Sequence, residues 1–179
     1  MSLDPAIKKL ETSNLTRRRA LGIYQIFGGV VGIVMVLTIF LSALSEGSFL
    51  IPTFFILLLY CFSVVCGILL LGKKENGLTL SLINQAAQTI AFNFGSFGWM
   101  YFSGLHLSMG ISITDSGFWH MGWGLIGFNI FLGGETQFQE FLINVVAAGL
   151  IYYIILLRRN IQKEIILKNT EEIAEQLTA

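Results

Sequence analysis

The sequence predicts an all-α integral membrane protein: four transmembrane helices, with an outward-facing β-hairpin between the third and the fourth. Three observations predict it. Of the 179 residues, 54% are apolar and only 12% charged, with a mean hydropathy of +0.73, whereas about a quarter of a soluble domain is charged. Four stretches, residues 20–44, 50–71, 78–102 and 138–157, are apolar over about the 20 residues that cross a hydrocarbon core. The charges are also segregated. All eleven basic residues lie before the first stretch (Lys8, Lys9, Arg17, Arg18, Arg19), between the second and third (Lys73, Lys74) or after the fourth (Arg158, Arg159, Lys163, Lys168). The two other connections hold only Glu46, Asp115 and Glu135, with Glu140 just inside the fourth stretch. By the positive-inside rule both termini and the "GKKENG" loop are cytoplasmic. Small size and this threading suggest a bacterial inner membrane.

Residues 1–19 read as a cytoplasmic amphipathic segment. Asp4 can cap a short helix with Pro5 in its first turn, which sets Leu3, Ile7 and Leu10 on one side and Lys8 and Lys9 toward lipid head groups. The first span follows "RRR" and is too long for a signal-peptide core, so it is read as retained. Its Gly28 and Gly32, four apart, make a small-residue helix contact of the kind that lets two helices approach closely. In the second span Pro52 suits a first helical turn, and Ser63 and Gly67 permit another close contact. Cys61 and Cys66 point to different sides of that helix and read as small apolar residues.

The third span carries Ser81, Asn84, Gln85 and Gln88, continued at the same spacing by Ala91 and Gly95. Two readings of this polar-to-small stripe stand: glue between helices through side-chain hydrogen bonds, or the lining of a water-filled path.

Residues 105–126 alternate, as a strand does. A three-residue loop at Asp115, Ser116 and Gly117 sets Thr114 opposite Phe118 and Ile113 opposite Trp119, with Ile111 opposite Met121 and Met109 opposite Trp123. One face is then wholly apolar, and the other carries His106, Ser108, Gly110, Ser112, His120, Gly122 and Gly124. An isolated hairpin is marginal in water, so the apolar face is expected to be covered by the helix ends, a neighbouring subunit or the membrane surface. "GFNIFLGG" adds a further strand, and Thr136 with Gln139 forms a capping box that starts the fourth span, in which Ala148 and Gly149 allow close contacts.

Residues 158–179 read as a cytoplasmic helical tail. Glu164 and Lys168 form a favourable i,i+4 pair, and Asn169 with Glu172 resembles a cap at which the helix breaks and restarts. Ile166, Ile173 and Leu177 share a face with Thr170 and form a docking stripe for a cytoplasmic partner.

Function is bounded by what the spans lack. No Asp, Glu, Lys, Arg or His lies deep in any of them, which argues against a coupled transporter or proton relay. His106 and His120 have no third ligand at metal-binding spacing, and "GSFG" at residues 95–98 has no placed base for a nucleophile. No catalytic residue, cofactor, metal or nucleic-acid partner is assigned. The expectation is a non-enzymatic homo-oligomeric membrane subunit, a sensor, anchor or scaffold, that couples an outward cap to a cytoplasmic partner. The alternative is a homo-oligomeric channel lined by the third-span stripe.

Overall fold

A computed structural model describes residues 5–46, 50–114, 117–132 and 139–178. The chain folds into four helices and a four-stranded antiparallel sheet: α1 (Pro5–Glu46), α2 (Leu50–Leu71), α3 (Asn76–Thr89), β1 (Ile90–Phe94), β2 (Phe97–Thr114), β3 (Gly117–Leu132), β4 (Gln139–Asn144) and α4 (Val145–Thr178). The expected all-α fold is therefore overturned. Among the described residues three helices, not four, are long and apolar enough to cross a membrane: α1, α2 and α4.

The third expected span fails halfway. The helix there, α3, has only 14 residues, a rise of about 21 Å against a hydrocarbon core of about 30 Å. Beyond Thr89 the run "IAFNFGSFGWMYF" carries aromatics at 92, 94, 97, 99 and 101, a period of two broken by one turn. Aromatic side chains packing across a pleated surface favour strands, and mean hydropathy alone cannot distinguish such a run from buried helix. Gly95 sits in that turn with φ +55 and so leaves the polar stripe to which its spacing had assigned it. The fourth span likewise begins later than expected, because residues 139–144 form β4. Its cap is Asn144, whose Oδ1 accepts from the N–H groups of Val146 (3.1 Å) and Ala147 (3.3 Å). Thr136 of the expected capping box, like Asp4 and the hairpin residues Asp115 and Ser116, lies outside the described residues.

Strand order is β1-β4-β2-β3, with β1 also pairing to β2. The start of β2 borders β1 (Phe92↔Trp99, Phe94↔Phe97), while its far half borders β4 (Ser108↔Asn144 to Ile113↔Gln139). One strand can meet both partners only by bending, and it bends where the pairing with β3 slips, between Ser103 and His106. Gly104, at φ +100, makes the bend, and the ring of Tyr24 fills the space a side chain would need. Ala91, Phe102 and Leu142 pack inside the closed β1, β2 and β4.

The hairpin is longer than expected and shifted by two residues: Ile111 pairs with Trp119, Met109 with Met121 and Leu107 with Trp123. "GFNIFLGG" contributes no new strand through residue 132, since it continues β3 opposite 97–102. Because a shift of two preserves the side-chain alternation, the apolar and polar faces keep their expected membership.

α1 and α2 pack along one another. Val36, Ile56, Tyr60 and Tyr101 form a core between these helices and the strands, and Leu21, Leu70, Leu78, Ile154 and Leu157 form another where all four helices meet. The expected amphipathic segment is, from Pro5 on, the opening of one continuous α1. α4 also runs unbroken through Asn169, so the expected break there does not occur.

Candidate functional site

The buried polar side chains of the helices and β2 converge on one seam. Ser63 Oγ donates to the backbone oxygen of Gln25 (3.1 Å), and Ser81 Oγ, which donates to the Gly77 oxygen (2.7 Å), lies 3.3 Å from Gln25 Oε1. Asn84 Nδ2 donates to Ser63 Oγ (3.1 Å), and Ser103 Oγ donates to the same atom (3.0 Å). The Ser103 N–H donates to Gln88 Oε1 (2.8 Å). The Tyr101 hydroxyl lies within hydrogen-bonding distance of the Leu59 oxygen (2.8 Å) and Asn84 Oδ1 (3.1 Å), and the Tyr60 hydroxyl donates to the Phe102 oxygen (3.1 Å). Every one of these side chains is buried.

The seam thus ties α1, α2, α3 and β2 together with amides and hydroxyls. Such groups hold elements in register, each bond contributing something near 1 kcal/mol in a nonaqueous setting. No carboxylate, amine or imidazole takes part in these bonds. Three amides keep spare capacity: Gln25 Nε2, Gln88 Nε2 and both polar atoms of Gln85 have no partner within the protein.

The expected stripe residues Ser81, Asn84, Gln85 and Gln88 are all in or beside this seam; Gly95 is not. Gln25, Tyr60, Tyr101 and Ser103 belong to it as well and went unread. Gln25 was legible as a polar residue inside the apolar "GIYQIFGG", but Tyr101 and Ser103 join only because β2 folds back onto the helices.

Both expected contact glycines of α1 are occupied from within the chain. A Cβ at Gly28 would lie 2.5 Å from the Gly104 nitrogen and 2.7 Å from the Ser103 carbonyl carbon, and one at Gly32 would collide with the Tyr60 ring.

At the basic end, α1 and α4 continue past the other elements as an antiparallel pair. Lys168 Nζ bridges Glu11 (2.9 Å) and Glu164 (3.1 Å), and Asn14 Nδ2 donates to Glu164 Oε2 (2.9 Å). These groups lie outside the apolar segments. The ammonium of Lys168 holds the Glu11 carboxyl below its ordinary value, and Glu11 in turn raises Lys168. Ile166, Ile173 and Leu177 of the expected docking stripe are exposed on this extension, Leu177 at 82%.

On the sheet, Met109, Ile111, Ile113, Trp119, Met121 and Trp123 fall on one exposed face, joined by Phe141 and Ile143 of β4. The opposite face holds a polar cross-strand group: Ser112 Oγ donates to Glu140 Oε1 (2.9 Å), and His120 Nδ1 lies 3.8 Å from the same oxygen. Among the described residues, no three of His, Cys, Asp or Glu gather as a metal-ligand set. No family model, curated protein or solved structure matches the chain.

Proposed function

We propose that the chain is a non-enzymatic membrane subunit, an anchor or scaffold, that holds a stiff two-helix extension on the cytoplasmic side for a protein partner. The observation that carries this reading is the exposed stripe Ile166, Ile173 and Leu177 on a helix braced against α1 through Lys168, Glu11, Glu164 and Asn14. An apolar stripe on a braced helix suits a partner's groove, because little ordering remains to be done on binding. The basic residues at that end support a cytoplasmic orientation for both termini.

The seam weighs against the channel alternative, since Asn84 and Gln88 already bond to Ser63 and Ser103 of the same chain. Gly28 and Gly32, being filled internally, support stability of one chain more directly than assembly. Self-association therefore rests with other surfaces.

The test uses the full chain. Ile166→Asp with Ile173→Asp should release partners captured from native membranes, because burying a charge on an apolar stripe costs several times RT. Purified wild-type protein in liposomes should conduct no more than empty liposomes. Single-channel currents that vanish with Asn84→Leu and Gln88→Leu would replace this reading by the channel.

A further inference from the structure

We infer that the apolar face of the sheet is seated in the outward leaflet of the bilayer, its occupant being lipid acyl chains with the head-group boundary near Trp119. The inference rests on the reading that α1 and α2 cross a membrane.

It starts from a shortfall in height. α3 leaves the basic "GKKENG" loop and ends at Thr89. α4 begins at Val145, and its apolar part ends at Leu157, before Arg158 and Arg159. Each apolar rise is about 20 Å, roughly two-thirds of the hydrocarbon thickness. On this side of the molecule the remaining depth contains no helix of α3 or α4. It is filled by strands, because β1 continues α3 and β4 leads directly into α4, and the two pair there (Ile90↔Ile143, Asn93↔Glu140).

The far half of β2 joins at the same level, Ser108 opposite Asn144, and climbs with β4 to Ile113 opposite Gln139. At about 3.3 Å per residue these strands traverse the missing depth. The low point of β2 fits the same reckoning: Ser103 bonds to Ser63, eight residues short of the basic end of α2, or about 12 Å above it. β2 therefore descends to mid-depth, turns at Gly104 beside Gly28, and rises again.

The surface chemistry follows this path. Ile143 and Val145 are exposed on either side of the β4–α4 junction, and Tyr152 and Ile155 continue the exposed apolar surface down α4. No loop interrupts it. A helix surface meant for lipid thus passes without a seam into the sheet face of Phe141, Ile111, Met109, Met121 and Trp123. Trp123, 82% exposed, pairs with Leu107 near the level of Asn144, among the acyl chains, while Trp119, 81% exposed, pairs with Ile111 about 13 Å higher, where an amphipathic indole ring favours the boundary between acyl chains and head groups. The polar group Ser112, Glu140 and His120 is on the other face, turned from the lipid.

Tryptophan supplies the test, since the chain has only Trp99, Trp119 and Trp123. The wild-type protein and Trp119→Phe/Trp123→Phe are reconstituted into phosphatidylcholine vesicles whose acyl chains carry bromine, and emission is also titrated with aqueous iodide. The difference between the two proteins reports residues 119 and 123 without disturbing Trp99, which donates to the Ala87 oxygen. The expected result is that bromolipid removes most of the difference emission and iodide removes little. Strong iodide quenching with no effect of bromolipid would place the face in water and overturn the inference. Protection from both quenchers, with Trp119→Cys forming disulfide-linked dimers, would assign the face to a second copy and overturn it equally. Phe27→Trp, on the exposed side of α1, keeps the two readings apart. If its emission also escapes bromolipid, the membrane reading itself fails; if only the sheet escapes, the membrane reading stands and the seating of the sheet does not.

Discussion

Gly28→Ala and Gly149→Ala make the same chemical change in two helices and should have opposite effects. In a helix interior, alanine is better than glycine by about 1 kcal/mol, because the glycine backbone loses more freedom on folding. At Gly149 nothing lies within 4 Å of the new methyl group, so the gain should be realised nearly in full. At Gly28 the methyl would stand 2.5 Å from the Gly104 nitrogen, 2.7 Å from the Ser103 carbonyl carbon and 2.8 Å from the Ser103 oxygen. All three are backbone atoms, so no rotamer change relieves the contact. β2 cannot simply withdraw either, because Tyr24 presses on Gly104 from the side and its hydroxyl donates to the Leu105 oxygen (3.0 Å). Overpacking of this kind costs about 1–3 kcal/mol. The upper half of that range less the propensity gain leaves Gly28→Ala about 1–2 kcal/mol less stable than wild type. For a chain of this size each kcal/mol moves Tm by about 2–4 °C. The assay is thermal unfolding in mild detergent followed by tryptophan emission, with oligomer mass measured alongside. A Gly28→Ala protein as stable as wild type, or a Gly149→Ala protein less stable, would refute the packing argument. A change in oligomer mass without loss of stability would return Gly28 to a contact between chains.

Other outcomes follow from the same geometry. Asn144→Ala removes the side chain that caps α4 at its junction with β4 and should lower stability by about 1 kcal/mol, with Asn144→Asp retaining most of it; the same unfolding assay measures both. The α1–α4 extension should hold across neutral pH and loosen in acid. Glu11 is held below its ordinary value, so its contribution is complete above the ordinary carboxylate pKa and is lost as pH falls through the lowered one. Lys168 is raised, so its contribution is complete below the ordinary lysine value and is lost only as pH rises through the raised one. Spin labels at Lys8 and Glu172 should broaden in distance in acid, and Glu11→Gln should abolish that dependence on Glu11; an unchanged distribution in wild type would disprove it. Because Glu11 is well exposed, added salt should weaken the pair as well.

The sequence made some features legible and hid others for physical reasons. Segregated charge and long apolar runs located α1 and α2, because lipid-compatible helices must satisfy their backbone internally and advertise it in composition. Alternation found both faces of the hairpin and survived a register error of two. Composition failed at 90–102, where an aromatic strand is as apolar as a helix. The evidence there was periodicity, Phe92 to Tyr101 at intervals of two around Gly95 and Ser96, and the asparagine directly before "VVAAGL" marked the true start of α4. In the seam, Ser81, Asn84, Gln85 and Gln88 could be read from helical spacing. Their partners could not, since Ser103 reaches Ser63 through a bend whose cause, the packing of Gly104 on Tyr24, joins residues 80 positions apart.

The stunted α3 also imposes an order on biogenesis. α1 and α2 are neighbours in sequence, each long and apolar enough to enter a bilayer as it leaves the ribosome, and together they can form a hairpin before the rest of the chain exists. α3 cannot complete a crossing by itself, and the strands that extend it leave backbone groups unpaired until β4 arrives some fifty residues later to pair Ile90 with Ile143. The sheet within residues 76–144 can therefore complete its pairing only once β4 has been synthesised. A nascent chain truncated before β4 should retain a protected α1–α2 pair and an α3 still open to protease, which makes the short helix a timer for assembly.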